Sequence, residues 1–221
     1  GVCSGVAAPG EQAAFHALDV VGRARANGEF LARRFDHVVA TTAFAAREFE
    51  RIGVGNITRI PLGVDLAEFH PAKFDQTLRT NLLGDNDILL VHCGRLSPEK
   101  RAERSIETAI ELTRRGRRVR LIIAGDGPSR DSLQRLAEGH AVEFLGFVTE
   151  RDVLARLLAS ADVVLAPGPL ETFCLAALEA LASGTPVVAS ASSAVREVLG
   201  TDETDEQVGA VAADNATAFA D

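Results

Sequence analysis

Two glutamates, Glu171 and Glu179, are spaced so that both can face one ligand at the start of a helix. They follow the apolar run 162–166, which is typical of a buried strand. Residues 174–183 are rich in Ala and Leu and precede Gly184, a pattern that predicts a helix and its end. Glu171 then lies just before this helix, and Glu179 lies about two turns into it. Because helical side chains lean toward the N-terminus, Glu179 can reach back toward a ligand at the first turn.

The first turn of this predicted helix also offers backbone N–H groups that have no partner within the helix. Together with the helix dipole, such groups favour an anion such as phosphate. In this sequence they belong to Phe173, Cys174 and Leu175. Phosphate at the amides and hydroxyl groups at the two carboxylates are the parts of a nucleotide sugar, and this is the ligand class that the segment predicts.

A second segment with ligand-binding chemistry follows the strand predicted at 88–93. Gly94 lets the backbone turn closely, and Arg95 and Lys100 place two cations about one helical turn apart. Ligands of open α/β sheets bind at the carboxyl ends of the strands, where this turn lies. The alternative is that both cations are surface charges, with Lys100 paired to a neighbouring acid such as Glu103.

Short apolar runs that alternate with helix-like stretches position these two segments. The runs are residues 88–93, 119–124, 142–145, 162–166, 186–190 and 208–212. The longest helical stretch, 99–115, follows Pro98, which is favoured in a first turn, and ends before Gly116. Strands that are apolar on both faces and alternate with helices predict an α/β fold: a Rossmann-like parallel sheet with helices on both faces.

The first 60 residues have a different pattern. A helical stretch at 10–35 is followed by a strand at 36–40, a helix at 42–52 and a strand at 57–61. One strand–helix–strand unit is too small for a core of its own. We therefore expect residues 1–60 to be the remnant of a first Rossmann domain, 61–80 an interdomain linker, and 81–221 a ligand-binding domain.

Composition excludes several classes of function. A net charge of -8 argues against nucleic-acid binding, which needs a basic face. No run of about 18 apolar residues is present, and the three cysteines are far apart, which favours a cytoplasmic protein. The chain begins with Gly and not with Met, so we expect the natural start to lie upstream.

No metal site is predicted. The five histidines are scattered, and His92 is interpreted as a packing residue at a strand end and not as a base. Asp85 and Asp87 have a D-x-D spacing that can bind metals, but they precede the first strand of the sheet, at the edge opposite the ligand crevice. We interpret them as a turn.

The order of the motifs resembles a known family. The segments are 94–100 (GRLSPEK), 125–128 (GDGP), 144–148 (FLGFV), 171–179 (ETFCLAALE) and 183–188 (SGTPVV). In this order they resemble the donor half of a retaining nucleotide-sugar glycosyltransferase of family four, which has the two-domain GT-B fold. Segments 42–49, 61–65 and 167–173 are similar to those of bacterial GDP-mannose-dependent α-mannosyltransferases that act on lipid acceptors.

The resemblance implies roles for particular residues. Arg95 and Lys100 would hold the diphosphate, beside Gly94. The ribose would be held by Glu179, the base by the backbone near Val148, and the transferred sugar by Glu171. The amides of Phe173, Cys174 and Leu175 would meet phosphate or sugar. Catalysis would rest on Glu171, Arg95 and Lys100, without a metal or cofactor, and the acceptor, a membrane lipid or glycolipid, would bind through the first domain at the inner face of the membrane.

The sequence allows alternatives for the role of Glu171, for the role of Cys174 and for the type of reaction. Glu171 either supports front-face retention, which we favour, or acts as a nucleophile in a double displacement. Cys174 stands where the family usually has Gly; we expect its side chain to narrow the site and the helix N-terminus to lower the pKa of its thiol, and we favour a tolerated small residue over a nucleophile. The alternatives to a transferase are a non-catalytic nucleotide-sugar-binding module and an epimerase or phosphorylase of the same fold.

Overall fold

The computed structural model describes residues 34–200 and 208–221. The chain divides into two compact units, Gly1–Pro61 and Leu62–Asp221. Residues 10–33 of the predicted first helical stretch, and Cys3, lie outside the described residues.

In the first unit, strand β1 (Val38–Ala40) pairs in parallel with strand β2 (Ile57–Arg59). Helix α1 (Ala43–Arg51) connects the two strands. Its N-terminus is capped by Thr42, whose side chain accepts a hydrogen bond from the Ala45 N–H at 3.0 Å. These elements coincide with the strand, helix and strand predicted at 36–61.

The second unit contains a parallel sheet of six described strands in the order β5-β4-β3-β6-β7-β8. The strands are β3 (Ile88–Cys93), β4 (Val119–Ala124), β5 (Val142–Gly146), β6 (Val163–Ala166), β7 (Val187–Ser190) and β8 (Gly209–Ala212). Each strand overlaps one of the six predicted apolar runs. The predicted fold class, a Rossmann-like α/β sheet, is confirmed.

Helices cover both faces of this sheet. They are α2 (Gln76–Leu83), α3 (Ala102–Arg114), α4 (Arg130–Leu136), α5 (Arg151–Ser160), α6 (Leu175–Ala182), α7 (Val195–Leu199) and α8 (Ala216–Ala220). Successive residues of β3 enter opposite cores because side chains alternate along a strand. Leu89 and Val91 pack with α2, α5, α6 and α7, whereas Leu90 packs with α3, α4 and α8.

The longest helix begins later than predicted. Pro98 does start a turn of helix, but it is a short 3-10 turn, Pro98–Lys100. Arg101 then adopts a left-handed backbone conformation with φ 54°, and α3 starts at Ala102 and not at residue 99. The break separates Lys100 from the regular helix and places it on a loop, where its direction depends on the loop and not on helical periodicity.

Residues 62–80, for which the sequence predicts a linker, pack as part of the second unit. Phe69 is fully buried in the core beside α2 and α5. Asp75 caps α2 by accepting a hydrogen bond from the Leu78 N–H at 2.9 Å. Burial of an aromatic ring and a capped helix tie this segment to the sheet domain.

Candidate active site at the carboxyl edge of the sheet

The strand order places a topological switch point between β3 and β6. The chain runs from β3 to β4 and β5 on one side, and β6, β7 and β8 continue on the other side of β3. Loops that leave two such strands diverge, and the crevice between them is where open α/β sheets bind ligands. A cavity of about 410 Å³ lies there.

Most of the predicted site residues line this cavity. They are Gly94, Arg95, Lys100, Glu171, Phe173, Cys174 and Leu175. Val148 and Glu179 are not among the lining residues of the cavity; Val148 lines a neighbouring one, and Glu179 lies on α6. The two segments singled out in the sequence therefore meet in space, although 71 residues separate Lys100 from Glu171.

Lys100 and Glu171 form an ion pair inside the cavity. The Lys100 Nζ atom donates a hydrogen bond to Glu171 Oε1 at 2.7 Å, and the Glu171 side chain is only 14% exposed. Gly168 permits this approach, because a Cβ on it would lie 3.2 Å from Glu171 Oε1. The alternative that Lys100 pairs with Glu103 is wrong, since Glu103 pairs with Arg101 at 3.1 Å.

Arg95 presents a cation that is available to a ligand. Its side chain is exposed and lines the cavity. Within residues 34–200 and 208–221, no carboxylate forms an ion pair with its guanidinium. An unpaired guanidinium that borders a concave site is suited to binding phosphate through two parallel hydrogen bonds.

The start of α6 supplies backbone donors to the same cavity. The helix begins at Leu175, one residue later than predicted, with Cys174 as its N-cap residue. In the described part of the chain, the N–H groups of Phe173, Cys174, Leu175 and Ala176 have no hydrogen-bond acceptor. Four donors that converge at a helix N-terminus form a site for an anion.

Cys174 differs from its prediction in one respect. Burial, together with the negative charge of Glu171, raises the pKa of its thiol to about 11, so the expected lowering is wrong. Desolvation of the thiolate outweighs the helix dipole here. The interpretation of Cys174 as a small residue in place of Gly fits its backbone, which has φ 72° and ψ 78°, a conformation that Gly adopts more readily.

Glu179 lies beside the cavity and is paired with a residue that the sequence analysis missed. Arg151 Nη2 donates to Glu179 Oε1 at 3.3 Å, and the same guanidinium lies 4.9 Å from the centre of the Phe69 ring. Burial raises the pKa of the Glu179 carboxyl, against the opposing effect of Arg151. Burial, and then the charge of Glu179, raise the pKa of Cys93, which lines the cavity. No spacing signal links Arg151 to Glu179, because they lie on separate helices.

A second cavity of about 360 Å³ adjoins the first. Its lining residues are Cys93, Gly94, Arg95, Ala124, Gly125, Asp126, Phe147, Val148 and Leu154. Cys93, Gly94 and Arg95 line both cavities, so the two meet at the carboxyl end of β3. Phe147 is 74% exposed and Val148 lies beside it, which gives this cavity an apolar rim.

The GDGP segment holds the two loops together. A Cβ on Gly125 would lie 1.8 Å from the Gly94 carbonyl oxygen, so only glycine allows the loops to approach. The Leu96 N–H donates to the Asp126 carbonyl at 2.9 Å, and the Gly94 N–H donates to the Ala124 carbonyl at 3.0 Å. These bonds fix the backbone that carries Arg95. Apart from the family resemblance, the sequence alone indicates no role for this segment.

In the part of the chain that the structure describes, no cluster of three His, Cys, Asp or Glu residues is arranged to hold a metal ion. Asp87, in the D-x-D segment, pairs instead with Arg118 beside the start of β3. Likewise, none of the described helices combines the length and apolar character needed to cross a bilayer.

Comparison with known proteins gives three informative matches. The GDP-mannose-dependent alpha-(1-6)-phosphatidylinositol dimannoside mannosyltransferase of Mycobacterium tuberculosis is 53% identical over 171 residues, which are 77% of this chain and 45% of the relative. The GDP-mannose-dependent alpha-mannosyltransferase of Mycolicibacterium smegmatis is 32% identical over 166 residues, 75% of this chain and 42% of the relative. The crystal structure of Anabaena HepE with UDP and glucose superposes with a TM-score of 0.72 at 25% identity, over 89% of this chain and 55% of that one.

The chain spans less than half the length of these two curated relatives. Residues 87–221, more than half of the chain, match the family described as Glycosyl transferases group 1. The matched range contains β3 to β8 and all the lining residues of the two cavities except Leu62, so the family resemblance and the site geometry concern the same domain. The chain belongs to the glycosyl transferases group 1.

Proposed function

We propose that this protein is a retaining glycosyltransferase that transfers mannose from GDP-mannose to a lipid or glycolipid acceptor. The observation that carries the proposal is the meeting of Arg95, the Lys100–Glu171 pair and the free N–H groups of α6 in one cavity. Residues 81–221 form the donor-binding domain, and residues 1–60 are the end of the acceptor-side domain. The donor is supported by the names of both mycobacterial relatives, and the lipid acceptor by the name of the Mycobacterium tuberculosis relative alone.

The cavity is suited to stabilise the leaving group. When the bond between the anomeric carbon and the phosphate oxygen breaks, negative charge develops on the nucleoside diphosphate. Arg95, Lys100 and the N-terminus of α6 are fixed positive groups at that place. Such groups stabilise a transition state without reorganising, and they make a metal ion unnecessary.

Glu171 is the proposed partner of the positive charge that develops on the transferred sugar. Positive charge develops at the anomeric carbon as the diphosphate departs, and a partly buried carboxylate beside it stabilises that charge. Glu171 Oε1 already accepts a hydrogen bond from the Lys100 ammonium at 2.7 Å, which stabilises the anion and reduces its nucleophilicity. This favours front-face retention: the acceptor oxygen bonds to the anomeric carbon on the side that the phosphate leaves, and its proton passes to the phosphate oxygen.

The neighbouring cavity is the place for the nucleoside. Its apolar rim at Phe147 and Val148 suits a flat base, and the backbone of Val148 supplies polar groups for the edge of that base. Glu179 lies beside the first cavity, near Cys93, and is paired with Arg151. Its carboxylate is the proposed acceptor for hydrogen bonds from the ribose hydroxyl groups. The protein acts on the cytoplasmic face of the membrane as a peripheral enzyme that meets its lipid acceptor there.

Calorimetry with GDP-mannose and UDP-glucose tests the binding step. We expect GDP-mannose to bind more tightly, and Arg95→Ala and Lys100→Ala each to lose about 1.5 to 3 kcal/mol, roughly 10- to 150-fold in affinity. The matched control is Arg117→Ala, which removes an exposed arginine from the loop between α3 and β4. If Arg95→Ala binds as tightly as Arg117→Ala, the diphosphate site is misplaced.

Product analysis tests the reaction. With donor and lipid acceptor present, we expect a glycolipid whose new linkage keeps the anomeric configuration of the donor. Binding of GDP-mannose with no transfer to any lipid acceptor would indicate a binding module and contradict the enzymatic proposal. Isolation of a glycosyl ester on Glu171 would replace front-face retention by double displacement.

A further inference from the structure

His92, the penultimate residue of β3, has a buried nitrogen that no described residue satisfies. The side chain is 3% exposed and belongs to the lining of the first cavity. Its Nδ1 atom lies 3.0 Å from the Ser105 hydroxyl on α3. Its Nε2 atom has no hydrogen-bond partner in the part of the chain that the structure describes. A buried polar atom without a partner costs free energy unless a ligand or a water molecule pairs with it.

Two neighbours determine the state of the ring. Ser105 is fully buried, and its hydroxyl lies 3.0 Å from His92 Nδ1. We assign the ring proton to Nε2, the tautomer in which the Ser105 hydroxyl donates to Nδ1. Burial, and then the positive charge of Lys100, lower the pKa of His92 to about 4. The backbone of Leu165 acts in the opposite direction and raises this pKa, although Nε2 has no hydrogen-bond partner among the described residues. His92 is therefore neutral at physiological pH and presents one N–H donor.

The backbone next to His92 leaves access to that donor. A Cβ on Gly94 would lie 3.9 Å from Nε2, so a side chain at this position would stand beside the nitrogen. Glycine leaves this space empty at the point where both cavities meet. The same loop carries Arg95, and Lys100 follows within the same turn. A group that only donates, in a cavity that two cations also line, is complementary to an oxygen that only accepts, as phosphate oxygens do.

We propose that the Nε2–H group of His92 donates a hydrogen bond to a phosphate oxygen of the bound nucleoside diphosphate. This inference rests on the proposed function and adds a neutral ligand to the two cations. His92 would contact the leaving group beside Gly94. This hydrogen bond would position the diphosphate in the cavity, and because the His92 ring is neutral it would add no charge.

Nitrogen-15 NMR of histidine-labelled wild-type protein tests the contact directly. We expect the His92 Nε2–H proton to be visible and to shift downfield on addition of GDP, because a charged acceptor strengthens its hydrogen bond. GDP lacks the sugar, so a shift that requires GDP-mannose would assign the contact to a sugar hydroxyl and overturn the phosphate assignment. An unmoved signal with GDP bound would overturn it as well.

Two variants of His92 give an independent measurement by calorimetry. His92→Phe keeps a planar ring and removes the donor, and we expect about a tenfold loss of GDP affinity. His92→Gln retains a terminal N–H donor and is expected to recover most of that loss. If wild type binds GDP and His92→Phe binds it equally well, the inference fails and the proposed function stands. If wild type binds no nucleoside diphosphate, both are overturned.

Discussion

Cys174 offers a test of backbone strain at the start of α6. Its φ of 72° and ψ of 78° lie in the left-handed region, where a side chain costs about 1 to 2 kcal/mol. Glycine avoids this cost but loses about 0.5 to 1 kcal/mol through the greater freedom of the unfolded chain. Cys174→Gly should therefore exceed Cys174→Ala in free energy of unfolding by roughly 0.5 to 1 kcal/mol. Both variants remove the buried thiol, so the comparison isolates the backbone.

Urea denaturation of the two Cys174 variants, analysed with a common slope, measures this difference. The control is Ala176→Gly, the Ala to Gly change two residues further on within α6, which should lose about 0.5 to 1 kcal/mol. The change from Ala to Gly should raise the free energy of unfolding at position 174 and lower it at position 176. If Cys174→Ala is as stable as Cys174→Gly, the left-handed conformation is not strained and the reasoning is wrong. We also expect Cys174→Gly to bind the donor at least as tightly as wild type.

Two further predictions concern the loops and the buried carboxylate. Gly125→Ala should lose about 3 kcal/mol or more of stability and most nucleotide binding, because its Cβ would lie 1.8 Å from a carbonyl oxygen. Gly63→Ala, whose Cβ would meet nothing within 4 Å, should leave both close to wild type, and equal effects of the two variants would contradict the close approach. Glu179→Gln should raise the free energy of unfolding at neutral pH, because burial raises the pKa of Glu179 in the folded protein and its ionised form is therefore unfavourable there. The gain should vanish in denaturation measured below the unfolded pKa of about 4.3, where wild type is also protonated, and a gain independent of pH would contradict this origin.

Local sequence patterns were sufficient to predict the strands of the second unit. The predicted runs 88–93 and 119–124 coincide with β3 and β4, because continuous apolar stretches bounded by turn residues have few alternatives to a buried strand. The predicted start of α3 at residue 99 was wrong because Arg101 adopts a left-handed conformation, which no helix propensity indicates. The α2 helix was missed within a segment that looked like a linker.

The sequence could predict which residues lie near one another at the crevice when those residues directly follow a strand of the sheet. Arg95, Lys100 and Glu171 were expected at one crevice because they follow strands of one parallel sheet, and they line one cavity. The contacts within that crevice were not predictable, because they depend on tertiary packing. Examples are the Lys100–Glu171 pair, the Arg151–Glu179 pair and the burial that raises the pKa of Cys174.

A crystal structure of this protein with GDP bound would show where the diphosphate lies. We expect it in the cavity between β3 and β6, with its oxygens within hydrogen-bonding distance of Arg95, Lys100 and the N–H groups at the start of α6. The base should lie in the neighbouring cavity beside Val148. A diphosphate bound elsewhere on the domain, with Lys100 and Glu171 still paired in an empty crevice, would contradict the proposed sugar-transfer site.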